Sequence, residues 1–447
     1  AINGFTNGQV TLNSVQDGYD NLIAIINTSN PEIDMSNAVV RVTDIVDFVK
    51  VNQLIANTPK LVTVDNISDK KALLAVINIT PNANIESAEI TVTDDVNRSE
   101  VETINTYNIT GNVTITSITD SFSNISAVRG TTGISIGTAL ITATDAVTLD
   151  NANSLNGFTN AQVTLNAVQD TVSNITSIDG LTTSDVSMAA AALTVTDAAT
   201  LANAKAINNF TTGQVTLNAV QDTVSNITSI NGLTTSEVSM AAAAVTVSDA
   251  ASFANADAIN GFTTGKVTLN SVEDTYAKIQ DIKSIADGEV DMGAAAVKVT
   301  GNVTKTEVDD LRTDTSGNIT LTSLTEDKTD LAAINGFSDI ILSTANITVT
   351  DNVNKTEADT IDAYSNTSGT VTLTSITDTV TNVTAVNTNA NISLATSAIT
   401  VTDAASFANA DAINGFTTGK VTLNSVEDTY AKIQDIKSIP DGEVDMG

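Results

Sequence analysis

Residues 245–269 read V-T-V-S-D-A-A-S-F-A-N-A-D-A-I-N-G-F-T-T-G-K-V-T-L. The first four residues alternate apolar and polar side chains, and the last residues begin a second run of this kind, so both ends predict β-strands. Between them an apolar residue stands at every third position from Phe253 to Phe262. This spacing predicts a short helical arm of one to three turns, with the flanking turn continuing the line of contacts.

The pattern of this stretch recurs along the whole chain. The phrase ITVTD returns in variant form every 50 to 52 residues, and a second phrase, VTLNSVED, keeps the same period. Two independent markers with one period establish a tandem repeat. The predicted units are 40–89, 90–140, 141–192, 193–244, 245–296, 297–346 and 347–398, with partial units at 1–39 and 399–447.

A unit of about 52 residues with 3% aromatic residues in the chain cannot easily fold alone, so neighbouring units must share one core. We therefore predict a tandem-repeat solenoid of the α/β or β type, with short parallel strands and short helical arms. The strand markers Val245, Val267 and Val297 indicate two coils in each unit. Val245, Val247, Val267 and Leu269 should stack in the core. The competing architecture is a string of Ig-like sandwich domains, each made of two units.

The composition of the chain argues against several classes of function. Apolar residues make up 41% of the 447 residues, which argues against a disordered polymer. The formal charge of −33 argues against nucleic acid and anionic membrane surfaces as partners. No apolar run approaches the ~18 residues of a membrane helix. The chain contains no His and no Cys, so the usual catalytic triads, thiol nucleophiles and zinc sites are excluded, and we predict no enzymatic activity.

Two series of acidic residues follow the two strand markers. The first series is Asp44, Asp94, Asp145, Asp197, Asp249, Gly301, Asp351 and Asp403, in which one glycine interrupts the aspartates. The second series is Asp17, Asp69, Asp120, Asp170, Asp222, Asp274, Glu326, Asp378 and Asp428.

These carboxylates allow two interpretations. They could form a line of Ca²⁺ sites, with Asp197, Asp222, Asp249 and Asp274 as the candidate ligands and Ca²⁺ as the only candidate cofactor. Alternatively, each Asp ends a strand and caps the helical turn that follows it. The cap is favoured because Ca²⁺ needs six to eight oxygen ligands and each corner supplies one carboxylate.

Two smaller motifs also recur. Asn-Gly pairs stand at 3–4, 156–157, 260–261, 335–336 and 414–415, and each Gly is predicted to end a helical arm in the left-handed conformation. Thr-x-Thr pairs such as Thr194 and Thr196 lie on the first strand, where alternation predicts that both Thr face outward. A stacked Thr array resembles the face of solenoid ice-binding proteins, although Thr also simply suits an exposed strand.

The phrase at 245–269 resembles the repeats of very large secreted proteins of marine bacteria, including the giant cell-surface protein linked to swimming in marine Synechococcus and related giant adhesins. The resemblance covers nearly the whole chain, and 40–140 and 297–346 fit it less well. It implies an extracellular, acidic, cysteine-free surface layer, fibre or stalk.

We therefore expect a structural or adhesive protein located outside the cell or at its surface. Its expected partners are further repeats of the same chain, other copies of it, or cell-surface glycans. We also expect longer rods, since neither end of the sequence shows the polar cap that a finite solenoid needs. The alternatives are a viral (phage) fibre, which would assemble as a closed trimer, and a cation- or ice-binding adhesin module.

Overall fold

A computed structural model describes residues 8–28, 33–181, 185–233, 237–285, 290–365, 368–439 and 444–446. The Asn-Gly pair at 3–4 lies outside these residues. The chain divides into two compact units, 1–219 with 232–239 and 220–231 with 240–447.

Each repeat runs strand, helix, strand, helix and short strand. We name the strand that carries the ITVTD phrase the A strand, and the helix after it the A helix. The A strands are Val39–Val46, Glu89–Val96, Leu140–Val147, Ala192–Ala199, Ala244–Ala251, Ala296–Val303, Asn346–Val353 and Ala398–Ala405. The A helices are Phe48–Asn57, Arg98–Asn105, Leu149–Asn156, Leu201–Asn208, Phe253–Asn260, Lys305–Asp314, Lys355–Asp362 and Phe407–Asn414.

The strand that carries the VTLNSVED phrase is the B strand, and the B helix and a short strand follow it. The B strands are Ser14–Asp17, Val62–Asp69, Val113–Asp120, Val163–Asp170, Val215–Asp222, Val267–Asp274, Ile319–Glu326, Val371–Asp378 and Val421–Val426. The B helices are Tyr19–Ile26, Lys71–Ile79, Phe122–Arg129, Val172–Leu181, Val224–Leu233, Tyr276–Lys283, Lys328–Asn335, Val380–Asn387 and Tyr430–Ile436. The short strands are Ile33–Asp34, Ala83–Asn84, Ile134–Ser135, Val186–Ser187, Val238–Ser239, Val290–Asp291, Ile340–Ile341, Ile392–Ser393 and Val444–Met446, and Val10–Thr11 pairs with the first of them.

In the first compact unit these strands form a parallel sheet. Ile141 of an A strand pairs with Val163 of the following B strand, and Val163 pairs in turn with Val186 of the short strand. The second half of the same B strand pairs with the next A strand, where Val168 lies opposite Leu193. The second residue of the earlier A strand is therefore level with Val163 and the second residue of the next A strand is level with Val168, five residues further along the same B strand. Each repeat is thus displaced along the strand direction relative to the one before it.

The second compact unit repeats this arrangement. Val245 pairs with Val267, and Val272 of the same B strand pairs with Val297 of the next A strand. Val245, Val247, Val267 and Leu269 are 0 to 1% exposed, so the predicted inward stack is confirmed. The pairing is parallel, whereas Ig-like sandwiches are built from antiparallel sheets, and the competing architecture was therefore wrong. The predicted solenoid and its two coils per unit are confirmed.

The helical arms bury one narrow line of side chains. The A helices contain eight or ten residues, which is two to three turns. In the helix Phe253–Asn260 the buried residues are Ala256 and Ile259, three positions apart. Phe253 and Phe262 are half-buried at the two ends of this line. The sequence spacing therefore predicted both the length of the arm and its contact face.

The prediction for the Asn-Gly pairs was half wrong. Gly157, Gly261, Gly336 and Gly415 do follow the last residue of a helix, but their φ angles lie between −78° and −68°. These angles are right-handed and open to any residue. The helix tightens into a final turn instead, in which the N–H of Phe262 donates to the carbonyl of Ile259 at 3.0 Å, so a left-handed cap is not needed.

Candidate functional site

The second acidic series lies at the ends of the B strands, and its carboxylates join neighbouring coils. Asp170 is the last residue of its strand. Its Oδ1 accepts hydrogen bonds from the N–H of Thr171 and from Nδ2 of Asn174, both at 2.8 Å. Its Oδ2 accepts the N–H of Leu149 at 2.9 Å. Leu149 is the first residue of the helix in the preceding coil, so one carboxylate binds donors of two coils.

The first acidic series makes the same contact from a different position. Asp197 lies two residues before the end of the strand Ala192–Ala199, and its Oδ1 accepts the N–H of Val172, the first residue of the preceding B helix, at 2.8 Å. Corresponding strands carry a bulge here: Ser248 and Asp249 together oppose one residue between the pairs Val247–Leu269 and Ala250–Ser271. A bulge re-aims the side chains of its strand, which accounts for the outward reach of this Asp.

We call this contact a trans cap: a carboxylate of one coil accepts the first N–H of the helix in the preceding coil. It recurs with lengths of 2.5 to 3.0 Å at Tyr19–Asp44, Phe48–Asp69, Lys71–Asp94, Arg98–Asp120, Phe122–Asp145, Leu149–Asp170, Val172–Asp197, Val224–Asp249, Phe253–Asp274, Lys305–Glu326, Lys328–Asp351, Lys355–Asp378, Val380–Asp403 and Phe407–Asp428.

The trans cap corrects the prediction that each Asp caps the helix that follows it. In the helix after Asp274 the N-cap is Thr275, whose hydroxyl accepts the N–H of Lys278. In the helix after Asp249 it is Ser252, which forms a capping box with Asn255. Because neutral side chains already cap these two helices, Asp274 and Asp249 can each accept an N–H of the preceding coil. A negative charge beside helix N–H groups is favourable in either case.

The environment of the trans caps lowers the pKa of several of these carboxylates. Burial by itself would raise the pKa of Asp170, but the hydrogen bonds from Leu149, Asn174 and Thr171 together outweigh burial and hold the pKa below its ordinary value. The pKa values of Asp120 and Asp378 are lowered in the same way. These groups therefore favour their charged form in the folded protein.

The four Ca²⁺ candidates all take part in hydrogen bonds with the chain. Asp197 and Asp249 accept helix N–H groups through Oδ1. Asp274 uses both oxygens, for Thr275 and Phe253, while Oδ1 of Asp222 accepts hydrogen bonds from its own coil. Within the described ranges no three acidic, His or Cys side chains form a cluster that could hold a metal ion. Calcium binding stays a prediction that requires a direct test.

A buried hydroxyl, which sequence reasoning missed, links the turn before a B strand to the backbone just before the preceding A strand. Oγ1 of Thr263 donates to the carbonyl of Ala243 at 2.6 Å and accepts the N–H of Gly265 at 2.9 Å. A Cβ on Gly265 would lie 2.3 Å from the oxygen of Ala243, so the backbone must shift where this turn carries a side chain, as it does at Ala161, whose N–H donates to Oγ1 of Thr159 at 3.0 Å. The sequence signal was the triplet T-T-G, which stands just before the B strands that begin at Val215, Val267 and Val421. The same donor recurs at Thr58, Thr159, Thr211, Thr315, Ser365 and Thr417.

The outward Thr prediction is confirmed. In the strand Ala192–Ala199, Val195 is buried, Thr194 is half-buried and Thr196 is exposed. Hydroxyl side chains also align from strand to strand in the first compact unit, where Thr119, Thr142, Thr164 and Ser187 occupy successive paired positions. This alignment is the geometry on which the ice-binding hypothesis depends, and the hypothesis stays a prediction.

No protein-family model matches this chain, and no curated protein matches it. None of the described helices is both long enough and apolar enough to cross a membrane.

Proposed function

We propose that this chain is a structural and adhesive repeat segment of a secreted cell-surface protein, in which further repeats or further copies build a rod, fibre or surface layer. The observation that carries the proposal is the trans cap, because it recurs along the described residues and in each case one coil supplies a charged acceptor to its neighbour. A repeat protein gains stability from such nearest-neighbour contacts. The charge of −33 would keep a long polymer of this kind soluble.

The side-chain types that catalyse reactions in other proteins are either missing from this sequence or bound to the backbone. The sequence contains no His or Cys, and the carboxylates of both acidic series recur from repeat to repeat in contact with backbone N–H groups. A catalytic carboxylate pair would need two groups in distinct environments. We therefore propose no enzymatic role.

Size-exclusion chromatography with light scattering and small-angle X-ray scattering tests the scaffold. A compact protein of this length would have a radius of gyration of about 22 Å. We expect a clearly larger value, together with a mass that rises above 46.1 kDa as the concentration increases.

Two outcomes would overturn this proposal. A compact monomer at all concentrations would rule out both the rod and its self-association. A stable trimer that does not grow with concentration would favour the phage-fibre alternative, since that alternative requires closed threefold assembly.

A further inference from the structure

Two clefts of the same construction lie between successive helices, one in each compact unit. The first has a volume of about 240 Å³ and is lined by Lys71, Glu100 and Tyr107. Lys71 begins a B helix, Glu100 is the third residue of the next A helix, and Tyr107 follows that helix. Ser99 and Thr103 add hydroxyl groups to the lining.

The second cleft has a volume of about 180 Å³ and is lined by Lys328, Glu357 and Tyr364. Each of these residues stands 257 positions after its counterpart in the first cleft. Thr356 and Thr360 supply the hydroxyl groups. The same three residue types therefore line the same place in the repeat twice.

In the first cleft the charged pair is held in place yet open to solvent. Nζ of Lys71 lies 2.8 Å from Oε1 of Glu100, and the two side chains are 34% and 36% exposed. Oε2 of Glu100 accepts the N–H of Asn97 at 3.0 Å as part of a capping box. The glutamate is thus fixed from both sides, which lowers the entropy cost of binding a ligand.

The second cleft holds its charged pair by the same contacts. Nζ of Lys328 lies 3.0 Å from Oε1 of Glu357. Oε2 of Glu357 accepts the N–H of Asn354 at 2.9 Å. Tyr364 is half-buried, as Tyr107 is, so each ring presents part of its surface to the cleft.

The fold does not require these residue types. In another repeat of the second compact unit, Val224 begins the B helix, Asn255 is the third residue of the A helix and Phe262 follows it. There the helices form without the lysine, the glutamate or the phenol group. The Lys–Glu–Tyr set is therefore an addition to the repeat at two places.

The chemistry of the clefts identifies a class of ligand. A lysine and a glutamate side by side cancel in net charge and offer hydrogen-bond donors and an acceptor, which suits a neutral ligand with adjacent hydroxyl groups. A tyrosine ring offers an apolar face for a ring-shaped ligand. Both clefts are smaller than the ~300–1,000 Å³ sites that hold drug-sized molecules, so the ligand is about the size of one sugar ring.

We propose that the two clefts bind neutral sugar residues of a glycan, with Glu100 and Lys71, or Glu357 and Lys328, as the hydroxyl-binding pair and the tyrosine as the ring-stacking partner. This proposal deepens the proposed adhesive function by naming its partner, and it rests on that function for its biological setting.

The test measures binding of the full chain to immobilised glycans that end in mannose, galactose or N-acetylglucosamine, with sialylated glycans as the anionic comparison. We expect binding to at least one neutral glycan. Glu100→Gln combined with Glu357→Gln should weaken it by about tenfold or more, because a charged hydrogen-bond acceptor is lost while the amide oxygen can still cap the helix. The matched control combines Glu102→Gln with Asp359→Asn, exposed acidic residues of the same two helices, and should bind as the wild type does.

The proposal is overturned if the wild type binds none of the neutral glycans, if it prefers the sialylated ones, or if the Gln double variant binds unchanged. Scattering on the same samples separates this result from the scaffold proposal. An elongated, self-associating chain that binds no sugar removes only the cleft assignment, while a compact monomer that binds sugar removes only the scaffold.

Discussion

The carboxylate of Asp170 accepts N–H groups of two coils, and both its energetics and its position follow from that contact. Its partner Leu149 lies 21 residues earlier in the chain. Each first-turn N–H of a helix lacks an acceptor within that helix. A carboxylate supplied by the neighbouring coil therefore stabilises the helix and the packing of the two coils together.

We expect Asp170→Ala to lower the free energy of unfolding by about 1–2 kcal/mol, since it removes a cap and a charged acceptor. Amide hydrogen exchange measured by mass spectrometry should become faster at the start of the helix Leu149–Asn156. Gln169→Ala, a change at the exposed neighbouring residue, is the control. Faster exchange confined to the helix Val172–Leu181 would mean that Asp170 caps only its own coil.

The glycine of the T-T-G turn at residues 211–213 leads to a second prediction about single residues. A Cβ on Gly213 would lie 2.3 Å from the carbonyl oxygen of Ala191, so Gly213→Ala should destabilise the protein by about 1–3 kcal/mol through overpacking. Gly180 lies in the helix Val172–Leu181, and a Cβ there would meet nothing within 4 Å. Gly180→Ala should leave the melting temperature unchanged or raise it. Equal melting temperatures for the two variants would show that the turn can shift to accept a side chain.

Single residues divide clearly into those that the sequence predicts and those that it does not. Inward positions such as Val245 and Val247 followed from alternation, which is a local property of a strand. The partner of Asp170 could not be predicted, because it depends on the register between coils, and loop lengths set that register. Thr263 and Gly265 stood in a recurring motif, but their contact with Ala243 appears only once the coils are stacked.

At the scale of elements, the carboxylate at the end of a B strand interacts electrostatically with the helix N-terminus that it contacts. Because the pKa of Asp170 is lowered in the folded protein, the contribution of this carboxylate to stability depends on pH. A carboxylate whose folded pKa lies below the ordinary value stabilises the fold fully above that ordinary value of ~3.9. The contribution is lost as the pH falls through the lowered pKa.

The stability difference between the wild type and Asp170→Asn should therefore depend on pH. Urea unfolding near neutral pH should show the wild type to be more stable, because the amide lacks the negative charge that the helix N-terminus favours. As the pH falls below about 4, the two unfolding midpoints should converge. A difference that stays constant down to the lowest pH would show that the charge of Asp170 contributes nothing.

The strands show how far the sequence predicts the bounds of single elements. The alternating residues Val290, Asp291 and Met292 predict a short third strand in the repeat, and the structure confirms a strand at Val290–Asp291. The A strand was predicted too short, because the polar Asp249 stands where the alternation requires an apolar residue. The strand continues through it to Ala251, since a bulge absorbs the extra residue.

For the whole molecule, the repeat period is the property that the sequence predicted most securely. Two markers with the same spacing do not depend on any helix or strand assignment, which is why the solenoid and its two coils followed from them. The offset between successive repeats did not follow, because it depends on which half of each B strand pairs with the next A strand.

The period also predicts which deletions the fold tolerates. Removing residues 141–192, one full repeat within the first compact unit, joins Leu140 to Leu193 and restores the same sequence of elements. This variant should unfold in one cooperative transition with a modest change in melting temperature, as nearest-neighbour stabilisation requires. Removing 141–162, a single coil, should destabilise the protein far more, because it breaks the alternation of A and B coils. Similar melting temperatures for the two deletions would contradict a repeat built from paired coils.

The trans caps all point the same way along the chain, and this gives the protein a mechanical polarity. A helix loses its carboxylate when the coil after it detaches, whereas detachment of the coil before it leaves that cap intact. We therefore expect rupture under tension to spread from later coils toward earlier ones, because each coil that detaches removes a cap from the helix before it. Detachment that starts at the earlier coils meets helices that still hold their carboxylates, so we expect the end formed by the earlier coils to resist detachment better.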